Sequence, residues 1–280
     1  MTNIYFKDEV LLKDKLDKIK SRGFSKLHVV SDFDRTLTKC FISGKKIPSA
    51  IGLIREGGYL SEDYPSRAFA LYNKYNPIEL DLSLDYDFRF KMMQAWWETH
   101  EKLFVECGMH KSIIDDILVK YPNVFREGAD DVLRFLSDND IPLLIFSAGI
   151  GNLIEGYLKK DGLFFGNVHV LSNTFDFNSE GFATGYKEDV IHLMNKSECL
   201  IQDEMYLDLI RDRSCVILLG DSLDDISMVD DSNLDVVLKI GFLNDNVGEK
   251  LGLYLSKFDI VIVNDGSMSF VVDLLNNLKS

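Results

Sequence analysis

The chain has 280 residues, with 31 Lys and Arg against 45 Asp and Glu, a formal net charge of −14. That excess of negative charge argues against a nucleic-acid polymer or an anionic membrane as partner. With 46% hydrophobic residues the chain can bury a sizeable core, as one large domain or as a core with an insertion. The opening residues, MTNIYFKDEV, hold no apolar signal segment, and no run approaches membrane-spanning length, so a cytoplasmic protein is expected, working as a monomer. Cys40, Cys107, Cys199 and Cys215 lack zinc-like spacing and read as reduced thiols.

Residues 11–19 (LLKDKLDKI) predict an amphipathic leading helix ending near Gly23. A buried strand follows at 27–31 and delivers Asp32, with Asp34 two residues on and Thr36 behind it. Two carboxylates spaced i, i+2 at a strand end point the same way, so one can attack a substrate while the other moves a proton. Residues 45–126 carry few strand-like runs and much helical periodicity, as in FRFKMMQAWWETHEKLFVEC, and predict a helical cap inserted after the first strand. The remainder, 1–44 and 127–280, would form an α/β core. A second apolar run at 141–146 stops in Ser147-Ala148-Gly149, and the helix expected over 150–160 would aim its first N–H groups at an anion.

Strand-like runs recur at 168–171, 215–219, 236–240 and 260–263, with helical patterns between most of them, which argues for a parallel sheet covered on both faces. Asn178-Ser179-Glu180-Gly181, between short aromatic runs, predicts a hairpin in the core. Residues 190–194 show an apolar helical pattern, and Lys196 in the polar stretch behind it could neutralise phosphate charge. Lys187, near the start of that pattern, is the competing lysine. The 215–219 run ends in Gly220-Asp221-Ser222, with Asp225 four residues beyond Asp221. Asp221 and Asp32, each at its own strand end, could share one Mg²⁺, which prefers a few hard oxygen ligands completed by water and phosphate.

This ordered set resembles the haloacid dehalogenase superfamily of phosphatases. The strings DFDRTLT, GKKIP (44–48), YNPIELD (75–81), FSAGIG (146–151), NVHVLSNTFDF (167–177), LLGDS (218–222) and LKIGFLND (238–245) are similar to the cytosolic 5'-nucleotidase type III (pyrimidine 5'-nucleotidase) family, from about residue 26 to residue 265. The resemblance implies a Rossmann-like parallel-sheet core of the haloacid dehalogenase type with an inserted helical cap domain. It implies hydrolysis of nucleoside 5'-monophosphates (CMP, UMP or 7-methylguanosine monophosphate) through an aspartyl-phosphate on Asp32, with Asp34 as general acid and base. Mg²⁺ would take the Asp32 carboxylate, the Asp34 carbonyl and Asp221. Ser147, Ala148, Gly149 and Lys196 would bind the phosphoryl oxygens, with Thr36 and Asp225 in support.

The same resemblance puts Glu79 against the nucleoside and Trp97 where the family places an aromatic. His100 departs from the small serine-type residue expected there. A phosphatase of another small phosphoester such as phosphoserine, a nucleoside phosphotransferase and a catalytically dead nucleotide-binding protein are the competing readings. Glu79 and the two tryptophans, Trp96 and Trp97, speak for a nucleoside, because an amino-acid phosphate needs no stacking surface.

Overall fold

A computed structural model describes residues 3–81, 83–121, 125–197, 201 and 203–279. In chain order, strand β1 (Ile4–Phe6) and helix α1 (Glu9–Arg22) precede β2 (Leu27–Ser31). The Asp8 carboxylate accepts from Val10 N and Leu11 N to start α1, and Gly23, at φ 78°, ends it. After β2 come a short hairpin, β3 (Phe41–Ile42) and β4 (Lys45–Lys46), and four helices, α2 (Ala50–Glu56), α3 (Tyr64–Leu80), α4 (Tyr86–Glu106) and α5 (Lys111–Lys120). Next are α6 (Ala129–Asp138), β5 (Leu143–Ile150), α7 (Gly151–Lys160), β6 (Val168–Asn173) and a second hairpin, β7 (Phe175–Phe177) and β8 (Ala183–Tyr186). The chain closes with α8 (Glu204–Ile210), β9 (Cys215–Gly220), β10 (Val236–Leu243), α9 (Val247–Lys257), β11 (Ile260–Val263) and α10 (Ser269–Lys279).

Seven strands form one sheet in the order β1-β11-β10-β9-β2-β5-β6, parallel except for β1. The strands are buried on both faces, and their side chains divide by parity. Leu27, Val29, Ile217 and Leu219 enter one core with α1, α6 and α10, while Val30, Val216 and Leu218 enter another with Tyr206 and Met228. From β2 the chain runs outward to β5 and β6, then crosses back to β9, β10 and β11 on the other side. The switch point therefore lies at β2, where open α/β sheets bind ligands at their carboxyl ends.

Two expectations need correction. The 178–181 turn does join a hairpin, but β7 and β8 form a sheet of their own outside the seven-stranded one. Phe175 and Ala183 pack with Tyr64 and Phe104 of the helical segment, and Tyr186 N donates to Glu101 Oε1 at 2.7 Å. This stretch thus serves as a floor for α3 and α4. Residues 190–194 form no helix; Asn173 and Asn195 side chains satisfy their backbone instead. Cys40, Cys107 and Cys215 are buried free thiols, while Cys199 lies outside the described residues.

Candidate active site

Three parallel strand ends converge at the switch point. Ser31 is level with Ile145 of β5 and Leu219 of β9, so Asp32, Ser147 and Asp221 emerge side by side. Asp32 N donates to Leu219 O at 3.0 Å, which anchors the residue to the end of β9. The chain then turns sharply, with Arg35 at φ 62°, a left-handed backbone unusual for a residue with a side chain. Arg35 O accepts from Asn244 Nδ2 at 3.0 Å and from Arg126 Nη2, and Arg35 N donates to Thr38 Oγ1 at 2.8 Å. Arg126 is buried, and its guanidinium also reaches Thr36 O (2.8 Å), Gly266 O (2.8 Å), Asn244 Oδ1 (2.9 Å) and the Asp265 carboxylate (3.2 Å). Asp265 in turn accepts from Cys40 N at 2.9 Å and Phe41 N at 3.1 Å. This clasp, which sequence reasoning missed, holds the turn carrying Asp34 and Thr36 from below.

Lys196 Nζ is buried, 2.5 Å from Asp32 Oδ1 and 3.2 Å from Asp225 Oδ1. Burial alone would lower its pKa, but Asp225 and Asp32 outweigh that and hold it protonated. Asp225 Oδ2 accepts from Ser222 N at 2.9 Å, closing a capping box on the short turn Leu223–Met228. Only glycine fits before Asp221, because a Cβ on Gly220 would stand 2.6 Å from Asp225 Cβ. Lys187 is exposed and remote from this group, joined through its N–H to Thr174 O at 2.9 Å.

Carboxylate oxygens of Asp32, Asp221 and Asp225 all lie within 4.8 Å of one another. Burial pushes the pKa of Asp32, Asp34 and Asp221 upward; the neighbouring acids add to this at Asp32 and Asp221, while Lys196 opposes it at all three. So many carboxylates around one lysine form a donor set with excess negative charge, which suits a hard divalent cation. Both oxygens of Asp225 already have partners, leaving Asp32 and Asp221 the freer ligands.

Ser147 Oγ accepts from Gly149 N at 3.0 Å and shapes the irregular last turn of β5, Ser147-Ala148-Gly149, ahead of α7. A Cβ on Gly149 would lie 3.7 Å from Asp34 Oδ2, so this turn and Asp34 face each other. Asn173, at the end of β6, ties the turn to the lysine segment: its Nδ2 donates to Ala148 O (2.9 Å) and Ile191 O (2.8 Å), and its Oδ1 accepts from Ile191 N (2.8 Å). It too escaped the sequence reading, although it lies in the NVHVLSNTFDF string.

One cavity of about 580 Å³ brings Asp32, Asp34, Ser147, Ala148, Gly149, Lys196, Asp221 and Asp225 together with Glu79, Trp97 and His100. Thr36 is fully buried beneath the site and contributes its carbonyl to the Arg126 clasp. Burial, with Asp224 adding to it and Arg89 opposing, pushes the Glu79 carboxyl up to about 7. His100 lies stacked on Phe104 with ring centres 4.5 Å apart, and its Nε2 pairs with Tyr64 Oη at 3.1 Å. Burial lowers its pKa to about 4, so it stays neutral. Trp96 stacks on Tyr75 at 5.7 Å, whereas the buried Trp97 indole N–H has no acceptor among the described residues. His192 is a structural residue, its Nε2 paired with Gln94 Oε1 at 3.1 Å and its Nδ1 accepting from Met194 N at 3.2 Å.

A doubly covered parallel sheet with paired aspartates at the switch point, a buried lysine and a second acidic strand end has the fold and layout expected of a phosphatase of the haloacid dehalogenase type. A phosphoserine phosphohydrolase-like protein from Francisella tularensis shares this fold at 20% identity and a TM-score of 0.50, over 90% of this chain and 99% of its own. Closer likenesses narrow the class. A profile of the pyrimidine 5'-nucleotidase (UMPH-1) family matches residues 35–279. The 7-methylguanosine phosphate-specific 5'-nucleotidase A of Xenopus laevis is 33% identical over 97% of this chain and 94% of its own, and the Homo sapiens 7-methylguanosine phosphate-specific 5'-nucleotidase 34% over 93% and 87%. The crystal structure of cytosolic 5'-nucleotidase IIIB bound to cytidine superposes with a TM-score of 0.90 at 30% identity, covering 100% of this chain and 94% of that one. The chain belongs to the pyrimidine 5'-nucleotidase family and is a 5'-nucleotidase.

Proposed function

We propose that this enzyme hydrolyses 7-methylguanosine monophosphate and pyrimidine nucleoside monophosphates, with Asp32 as nucleophile and Asp34 as general acid and base. The observation that carries this reading is the cavity in which the phosphoryl-handling residues face Glu79, Trp97 and His100. Lys196, with Ser147 Oγ and the N–H group of Ala148, binds the phosphoryl oxygens and stabilises the charge that grows on them, while Gly149 N holds Ser147 Oγ in place. Asp32 attacks phosphorus while Asp34, whose pKa is raised by burial, gives its proton to the departing ribose oxygen. The Asp34 carboxylate left behind then takes a proton from the water that attacks the aspartyl-phosphate. Mg²⁺, which the acidic donor set fits through Asp32, the Asp34 carbonyl and Asp221, would neutralise charge on the phosphoryl group. Asp225 positions Lys196.

At the other end, Trp97 offers a ring face for a nucleobase and an N–H without a partner. A cationic 7-methylguanine ring would gain cation–π attraction there and a carboxylate counter-ion in Glu79. Curated relatives named for 7-methylguanosine phosphate and a neighbouring structure that holds cytidine support both bases as substrates. We take residues 45–126 as a cap that closes on the core of 1–44 and 127–280, excluding bulk water from the phosphoryl group. Among the described residues no helix is long and apolar enough to cross a membrane, and we place the enzyme in the cytoplasm as a monomer.

The test is phosphate release with Mg²⁺ from CMP, UMP, AMP, GMP, 7-methylguanosine monophosphate and phosphoserine, with EDTA as control. Metal-dependent release from the pyrimidine and methylated nucleotides is expected. Release from phosphoserine alone would overturn the substrate assignment.

A further inference from the structure

Beside the catalytic cavity lies a second one, of about 600 Å³, a size typical of small-molecule sites. The two share a wall made of Asp34, Arg35, Gly149 and the stretch 46–49, but Asp32, Ser147, Lys196 and Asp221 line only the first. A ligand in the second cavity therefore meets no nucleophile and is bound without being hydrolysed there. Its back wall is core, not surface: Phe33, Leu153, Ile154 and Tyr157 are all buried, and Tyr157 Oη is fixed on Tyr121 O at 2.8 Å. At the mouth, Ile42 is 46% exposed, an apolar side chain with little covering it.

The charge of this lining runs against that of the whole chain. Arg35, Lys39, Lys45, Lys46 and Lys120 surround the cavity, and Asp34 is the only acid among its lining residues, in a protein of net charge −14. Lys46 is paired with Asp245 at 3.0 Å and Lys120 with Asp116 at 2.9 Å. Lys39 and Lys45 stand in no ion pair among the described residues, and neither lines the catalytic cavity. A rigid apolar wall beneath two uncommitted cations is complementary to an anion with a flat apolar body.

We propose that this cavity is a second ligand site, for an aromatic organic phosphate, with its ring against Leu153 and Tyr157 and its anionic group at Lys39 and Lys45. The site adjoins the nucleotide-hydrolysing one but lies off its nucleophile and its lysine, and its test reads binding rather than turnover, so the two proposals fail independently. Naphthalene-1-phosphonate, whose C–P bond a phosphomonoesterase leaves intact, is titrated calorimetrically into the Mg²⁺-loaded wild type and into Lys39→Glu/Lys45→Glu. The expected result is a binding event in the wild type that weakens by about tenfold or more on reversing both charges. CMP hydrolysis by the same variant should stay within about twofold of wild type, because the substituted residues contact no part of the catalytic group. Inorganic phosphate, lacking the ring, should compete poorly for that event. Equal binding by both proteins, including no binding to either, overturns the proposal, as does phosphate displacing the probe at equal concentration.

Discussion

Replacing Arg126 with methionine removes a guanidinium and keeps most of its apolar volume. Arg126 is almost fully buried and lies over the Phe242 ring at 4.5 Å. Its loss strips donors from the carbonyls of Thr36, Arg35 and Gly266, and leaves Asp265 without its cation. Breaking a buried pair by deleting one partner costs about 3–5 kcal/mol, much of it from the charge left behind. Asp265 keeps the N–H groups of Cys40 and Phe41, and methionine keeps the contact with Phe242, so the lower half of that range, ~3–4 kcal/mol, is expected. At roughly 2–4 °C per kcal/mol for a chain of this size, the melting temperature should fall by about 10 °C. Differential scanning calorimetry reads this directly. Because the clasp also holds Arg35 in its left-handed turn, kcat for CMP should fall while the variant is still folded at 25 °C, with KM moving less. Asp265→Asn, which retains a side-chain acceptor, should show the same pattern at smaller size. A melting temperature within about 2 °C of wild type would refute the reasoning, since it would mean the carbonyls and Asp265 need no partner.

Asp34→Asn should remove most turnover of CMP, a substrate with a poor alcohol leaving group, while sparing an activated aryl phosphate; equal losses on both would argue against Asp34 as the acid. Trp97→Ala should raise KM for 7-methylguanosine monophosphate roughly tenfold or more, from the ~1–3 kcal/mol of a base stack, and Trp97→Phe should recover part of it. The Glu79 carboxyl, pushed up to about 7 by burial, is ionised above that pH and protonated below it. KM for the cationic methylated base should therefore rise as pH falls from about 8 to about 6, and Glu79→Gln should flatten that profile. The linkage also has a sign in stability. The folded protein holds the Glu79 proton to higher pH than the unfolded chain, so Glu79→Gln should gain stability relative to wild type as pH rises toward 7.

Where a strand is a continuous apolar run buried on both faces, its limits can be read from the chain, as at Leu27–Ser31 and Ile260–Val263. β5 runs on to Ile150, past the small residues that looked like its end, because it continues to pair with β6 across an irregularity between Ser147 and Ile150. The edge strand Ile4–Phe6 has only three residues and is largely exposed, so it is too short to show a strand period. Asp32, Asp34 and Asp221 were legible because they follow strands, and Ser147 because it ends the apolar run of β5; strand order alone brings them together. Lys196 was only half legible. Its position depends on a non-helical path through Ile191 and His192, stitched by Asn173 from β6 and by Asn195, and periodicity cannot register side chains that take over backbone hydrogen bonds. Arg126 was invisible for a related reason: an arginine reads as solvated until the carbonyls that surround it are known.

The most direct test of the mechanism is phosphate release from CMP by wild type and by Asp32→Asn at equal concentration with Mg²⁺, with circular dichroism confirming that both are folded. Loss of turnover by several orders of magnitude in the variant is the predicted result, because amide nitrogen and oxygen cannot replace the attacking carboxylate. Turnover near the wild-type rate would contradict the account, since it would leave the phosphoryl group with no acceptor on this enzyme.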